Sequence, residues 1–187
     1  MVGQMQLAWL TAGPLRRVVT RLDRQGVSYA PVGVTLGGAA VERHTVRLGS
    51  GQATFEAART ALQRWATHQS SWLRTFPGVP QQVGQTVLVV LKVPGLPLGL
   101  VFGCRMVEVL DAERRFGFAY GSLPGHPERG EELFLIEWHA DNSVTFTLKA
   151  QSEPANLLYR LGRPFGKLMR SLGSRQYLQA MQRATRI

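Results

Sequence analysis

Residues 131–172 read EELFLIEWHADNSVTFTLKAQSEPANLLYRLGRPFGKLMRSL. They place a strand, a tight turn, a second strand and the start of a long helix in direct succession. The second strand alternates: Val144, Phe146, Leu148 and Ala150 fall on one side, Thr145, Thr147, Lys149 and Gln151 on the other. That period of two is the mark of a sheet with one buried and one wetted face. Asp141-Asn142-Ser143 forms the turn, because Asp and Asn tolerate the backbone angles a tight reversal needs. After Pro154 the period changes. Leu157, Leu161, Phe165, Leu168 and Leu172 step by three or four, which gathers them along one helical stripe, and a further apolar group, Tyr177, Leu178 and Met181, continues it beyond Gly173. Pro164 suits a helical first turn, where its missing amide costs little.

Working back from this stretch, the same strand grammar recurs. TVLVVLKV (86–93), GLVFGCRMVEVL (99–110), RFGFAYGSL (115–123), EELFLIEWHA (131–140) and SVTFTLKAQS (143–152) are separated by short turn signals. Connections this short imply antiparallel hairpins, since a parallel pair needs a crossover of about a dozen residues. Residues 86–104 are apolar enough to imitate a membrane span. However, Lys92, Pro94, Gly95 and Pro97 at their centre mark two strands and a loop.

Upstream, VERHTVRLG (41–49) reads as a half-exposed strand. QATFEAARTALQRWATHQ (52–69) reads as a helix with Phe55, Ala58, Leu62, Trp65 and Ala66 on one face, and WLRTF (72–76) as a short strand. Residues 4–25 read as a helix interrupted near Gly13-Pro14, and SYAPVGVTLGGAA (28–40) as loop. The expected organisation is an N-terminal helical extension (1–30) and one α+β domain (31–187). In that domain an antiparallel sheet of six to seven strands wraps around a long C-terminal helix.

The charge is unevenly placed. The formal net charge is +10. Residues 31–153 carry eleven basic and eleven acidic side chains, whereas residues 154–187 carry seven basic residues and no acid. Such a segment attracts nucleic acid or an anionic membrane surface, or is the solvated face of an amphipathic helix. With 44% hydrophobic and 18% charged residues the chain is globular in composition. Its single cysteine, Cys104, excludes an internal disulfide and fits a buried thiol in a cytoplasmic protein.

The order of elements resembles the helix-grip arrangement of the START and Bet v 1-like superfamily. Within it the chain resembles the uncharacterised family called domain of unknown function nineteen-ninety. The residues that carry this likeness are YAPVG (29–33), WATH (65–68), GFAYGSLPGHPERGEELF (117–134), SEP (152–154) and RQYLQAM (175–181). The resemblance implies a helix-grip fold and the habit of enclosing a hydrophobic ligand between sheet and helix. It implies no activity and no cofactor.

For such a ligand the candidate lining is Trp65, Tyr120, Phe134, Trp138 and Phe146, with His68, His126, Glu128 and Arg129 at the mouth. This reading requires unfilled room beneath the terminal helix, and it makes the chain a binding protein for a hydrophobic or lipid-like molecule, with no catalytic residues. The alternative is enzymatic: a cyclase, isomerase or hydrolase using His126 with Glu128 or Glu131 from the stretch YGSLPGHPERGEE (120–132), which also holds Arg129 and Glu132. The same stretch also reads as a rigid loop pinned by ion pairs. His68, three residues after Trp65, is expected on the same helical face. No pair of histidines has metal-binding spacing, so no metal is expected. No nucleophile elbow, phosphate-binding loop or dinucleotide fingerprint occurs.

Overall fold

The computed structural model describes residues 6–37, 42–157, 160 and 163–186. In chain order it contains β1 (Gln6–Trp9), α1 (Ala12–Leu22), β2 (Glu42–Ser50), α2 (Gly51–Gln63), a 3-10 turn (Ala66–His68), β3 (Leu73–Phe76), β4 (Thr86–Lys92), β5 (Leu98–Ala112), β6 (Arg115–Ser122), β7 (Glu128–Trp138), β8 (Ser143–Pro154) and α3 (Arg163–Ala184). One antiparallel sheet runs β2-β8-β7-β6-β5-β4-β3, and β1 pairs with the start of β5. The five strands β4 to β8 follow one another as hairpins, as their turn signals predict. Asn142 takes φ 68° in the β7–β8 turn. Residues 86–104 are β4, a turn and the start of β5. Among the described residues no helix is long and apolar enough to cross a membrane.

The sheet is covered on both faces, which explains why β4 and β7 lack clean alternation. The inner face presents Val87, Val89, Phe102, Met106, Phe116, Phe118, Phe134, Ile136 and Phe146 to Phe55, Ala58 and Leu62 of α2 and to Tyr177 and Met181 of α3. The outer face presents Leu88, Val90 and Val101 to Leu15, Val18 and Leu22 of α1. A bulge between Met106 and Glu108 switches which residues of β5 face inward, so Val109 rather than Glu108 meets the inner core. The Arg105 guanidinium donates to the carbonyls of Leu22, Asp23 and Gln25 at 3.0–3.2 Å, satisfying the last turn of α1.

Four sequence expectations change. Gln6–Trp9 is a strand, not the start of a helix over 4–25; residues 4 and 5 lie outside the described part. The second helix stops at Gln63, short of the expected 69. Trp65 turns left-handed (φ 60°) and a 3-10 turn follows. That conformation costs on the order of 1 kcal/mol for a side chain with a Cβ. It is held by burial of the indole and by Trp65 Nε1 donating to the Val79 carbonyl at 2.8 Å. Finally, α3 buries its second half and not the leucine stripe: Ser174, Tyr177, Met181 and Thr185 are buried, whereas Leu157, Leu168 and Leu172 are exposed. Leu161 and the Phe165 side chain lie outside the described residues. Thr147, expected on the wet face of β8, is buried, with its hydroxyl 3.1 Å from that of Thr45.

Candidate functional site

Two adjacent glutamates on β7 point to opposite faces, and this parity organises the site. Glu131 faces outward with Leu133 and Leu135. It is buried and fully engaged: Oε2 accepts from the Tyr29 hydroxyl (2.7 Å) and the Gly33 amide (2.8 Å), and Oε1 from the amide (3.1 Å) and hydroxyl of Thr35. Burial, then the Glu131 carboxylate, pushes the Tyr29 phenol far up. The Tyr29 ring lies over Gly121, where a Cβ would collide with it. Residues 28–37 are thereby clamped to the outer face, which accounts for much of YAPVG and of the glycine and glutamate in the 117–134 run.

Glu132 faces inward, in register with Tyr120 on β6 and Ala150 on β8. Its Oε2 accepts from the Tyr120 hydroxyl at 2.7 Å. The Tyr120 oxygen is 3.0 Å from His68 Nε2, and His68 Nδ1 is 2.9 Å from the Thr67 hydroxyl. Each middle member of this chain is both a donor and an acceptor. With Glu132 ionised, Thr67 donates to Nδ1, Nε2–H to Tyr120, and Tyr120 to the carboxylate. With Glu132 protonated, every hydrogen bond can reverse without moving a heavy atom, and His68 changes tautomer.

The electrostatics suit proton exchange. Burial pushes the Glu132 carboxyl up to about 7; the Tyr120 hydrogen bond and Arg170 pull the other way, and Glu128 and Glu42 add to the rise. Burial keeps His68 neutral down to about 3. The phenols of Tyr120 and Tyr177 are raised by burial first and then by the nearby Glu132 charge. Cys104, also buried, is raised for the same two reasons. The 3-10 turn that follows left-handed Trp65 supplies His68, whose ring is fully buried.

Trp65, His68, Tyr120, Phe134 and Phe146 all enter one ring cluster. Phe134 lies 5.0 Å from Phe118, 5.2 Å from His68, 5.2 Å from Tyr177 and 6.4 Å from Phe146 between centroids. Tyr177, which the sequence places in the apolar continuation of the terminal helix and not among the site residues, closes the cluster 4.7 Å from His68. Trp138 lies elsewhere, stacked on Phe55 at 6.2 Å and under Arg114 at 4.4 Å. The middle of the grip is therefore filled with rings. A groove of about 610 Å³ lies on the surface, between the end of α2, residues 78–81 and the β5–β6 hairpin, away from the cluster. The half-buried edge at Glu132 is where the polar chain meets the outside.

The expected acid–base loop is not assembled. Only Leu123–Pro127 is a turn; Glu128, Arg129, Glu131 and Glu132 belong to β7. His126 is turned back on its own backbone, with Nδ1 accepting the Glu128 amide at 3.1 Å, and its ring lies 5.5 Å from Phe102. Glu128 pairs with Arg170 of α3 and accepts from the Ser152 hydroxyl at 2.9 Å. Glu131 is on the other face, and Arg129 is exposed. Arg170 also reaches Glu42 at 3.5 Å, so α3 is tied to β7 and β2 beside Glu132. Among the described residues no group of three His, Cys, Asp or Glu side chains is placed to hold a metal ion.

The model of a family described as a domain of unknown function (DUF1990) matches residues 28–180. The chain belongs to this family. A UPF0548 protein of Deinococcus radiodurans is 32% identical over 189 residues, covering 93% of this chain and 95% of that protein. A UPF0548 protein of Arabidopsis thaliana is 31% identical over 140 residues, covering 73% and 68%. Among solved structures, a hypothetical protein of Helicobacter pylori superposes with a TM-score of 0.52 at 9% identity, over 86% of this chain and 96% of its own. The Zhui aromatase/cyclase of a Streptomyces species superposes with 0.51 at 16% identity, over 78% and 92%. These similarities establish the helix-grip fold for this member of the DUF1990 family.

Proposed function

We propose that this chain binds a small, largely apolar molecule whose one polar group meets Glu132 at the edge of the ring cluster, beside α3. The observation that carries this reading is the Glu132 carboxyl itself. It faces an otherwise aromatic interior; among the described residues only its Oε2 is engaged, and no cation is within hydrogen-bond reach of it. A core built only for stability gains nothing from such a group, whereas perturbed carboxyls recur at functional sites. The edges of the Tyr120 and Tyr177 rings, 6% and 7% exposed, border Glu132 and supply the apolar contact, and Glu132 and Tyr120 supply orientation. Because the middle of the grip is filled, the binding surface is the half-open shelf at Glu132, with Arg170 and Glu128 at its rim. The helix-grip likeness of the family supports a ligand between sheet and helix.

A second reading is favoured by the Glu132–Tyr120–His68 chain: the bound molecule exchanges a proton with Glu132, as in an isomerase or cyclase. A carboxyl that titrates near neutrality is matched to such a task. Thermal shifts against apolar molecules with and without a hydrogen-bonding head group test the binding reading. Stabilisation confined to the head-group series and lost in Glu132→Gln is the expected result. Equal shifts in both proteins, or none for any molecule, would overturn it.

A further inference from the structure

Five of the ten large exposed apolar side chains among the described residues lie toward one end of the sheet. That end is where β4 finishes at Lys92, β5 begins at Leu98 and β8 finishes at Pro154. Leu7 and Trp9 of β1 pair with Leu100 and Leu98, so they project on the inner side there, and each is 57% exposed. Leu96, in the β4–β5 turn, is 55% exposed. Leu157, three residues beyond β8, is 68% exposed. Leu168 is 56% exposed on α3, two residues before Arg170, whose ion pairs with Glu128 and Glu42 hold that part of the helix at the same end. Single exposed leucines are ordinary; this many at one end, with a tryptophan among them, mark an interaction surface.

The charge around these residues selects the partner. Residues 154–187 hold seven basic side chains and no acid. Arg160, Lys167 and Arg175 are exposed, the last two flanking Leu168 and Leu172 on the outward side of α3. Leucine and tryptophan set among lysine and arginine match the interface of an anionic bilayer, where apolar side chains enter the acyl boundary and cations stay with the head groups. We propose that this end of the molecule docks on anionic lipid membranes, with Trp9, Leu96 and Leu168 inserted and Lys167 and Arg175 against the head groups. The surface brings the Glu132 shelf toward the bilayer, so an apolar ligand can pass directly from lipid to protein; that consequence rests on the ligand reading above.

The test is co-sedimentation of the full chain with phosphatidylcholine vesicles and with mixed phosphatidylcholine–phosphatidylglycerol vesicles at low and high salt. Binding is expected only with the anionic vesicles and falls with salt. Lys167→Gln with Arg175→Gln lowers the partition coefficient about 25-fold, at roughly fivefold per basic residue. Brominated acyl chains quench part of the tryptophan emission, and Trp9→Phe removes that part. These side chains are exposed, so the variants keep the fold, which circular dichroism verifies. Equal sedimentation with neutral vesicles, none at low salt, or a charge variant that binds like the parent overturns the proposal. Vesicle binding can fail while head-group molecules still shift the melting temperature; docking alone then falls.

Discussion

Replacing Glu132 with glutamine isolates the cost of its charge. The carboxyl titrates near 7 when folded, against a usual 4.5. The folded state therefore holds the proton more tightly. Below pH 4.5 both states are protonated and the charge costs nothing. As pH rises, the unfolded chain loses its proton first, and stability drains until about pH 7, after which the loss is constant. At 1.36 kcal/mol per pH unit the full effect is about 3 kcal/mol. Glutamine keeps the shape and still accepts from Tyr120, but has no charge to desolvate. The difference in unfolding free energy, Glu132→Gln minus wild type, should rise by about 3 kcal/mol between pH 4.5 and 8, or about 6–12 °C in melting temperature. Taking the difference cancels groups common to both proteins, His68 included. Urea titrations at several pH values supply the curve. A difference that stays flat across this range would refute the assignment of Glu132 as a half-buried carboxyl with no cation in hydrogen-bond reach.

Other predictions follow from the same geometry. Tyr120→Phe leaves His68 Nε2 without its partner and removes the donor to Glu132; it should cost about 1–3 kcal/mol in denaturation and move the carboxyl's midpoint above 7. His68 stays neutral when folded, so its contribution to stability is complete above pH 6.5 and is lost as pH falls toward 3; long-range nitrogen NMR should show an uncharged imidazole at pH 4.5, with its tautomer changing as Glu132 titrates. Phe134→Ala, at the centre of the rings, should cost about 3–5 kcal/mol. Gly121→Ala drives a methyl into the Tyr29 ring and should destabilise by about 2 kcal/mol; a Tyr29→Ala background should remove most of that penalty, which a double-mutant cycle measures.

The hairpins β4 to β8 were legible because turn residues punctuate them and β8 alternates. Strand β1 was not: LAWL has no alternation, and its pairing with β5 is a long-range contact that local pattern does not encode. The terminal helix was legible as a helix, but its leucine stripe misled. Periodicity reveals which residues share a face, whereas the buried contact depends on where that face meets the sheet, and there Tyr177 and Met181 do the packing. His68 and Tyr120 were recognisable as candidates by type. Their partner was hidden in a Glu-Glu pair, because apolar residues on both sides of Leu133–Ile136 erase the parity that separates Glu131 from Glu132. The signal that could have separated them is the even spacing from Phe134 and Ile136, once those are known to face the helix.

The most direct test of the ligand reading is native mass spectrometry of the protein as purified from cells, wild type beside Glu132→Gln. The account predicts a small-molecule adduct on the wild type, recoverable by organic extraction, and a reduced adduct on the variant. Bare mass for both proteins, or the same adduct at the same occupancy on both, would contradict it.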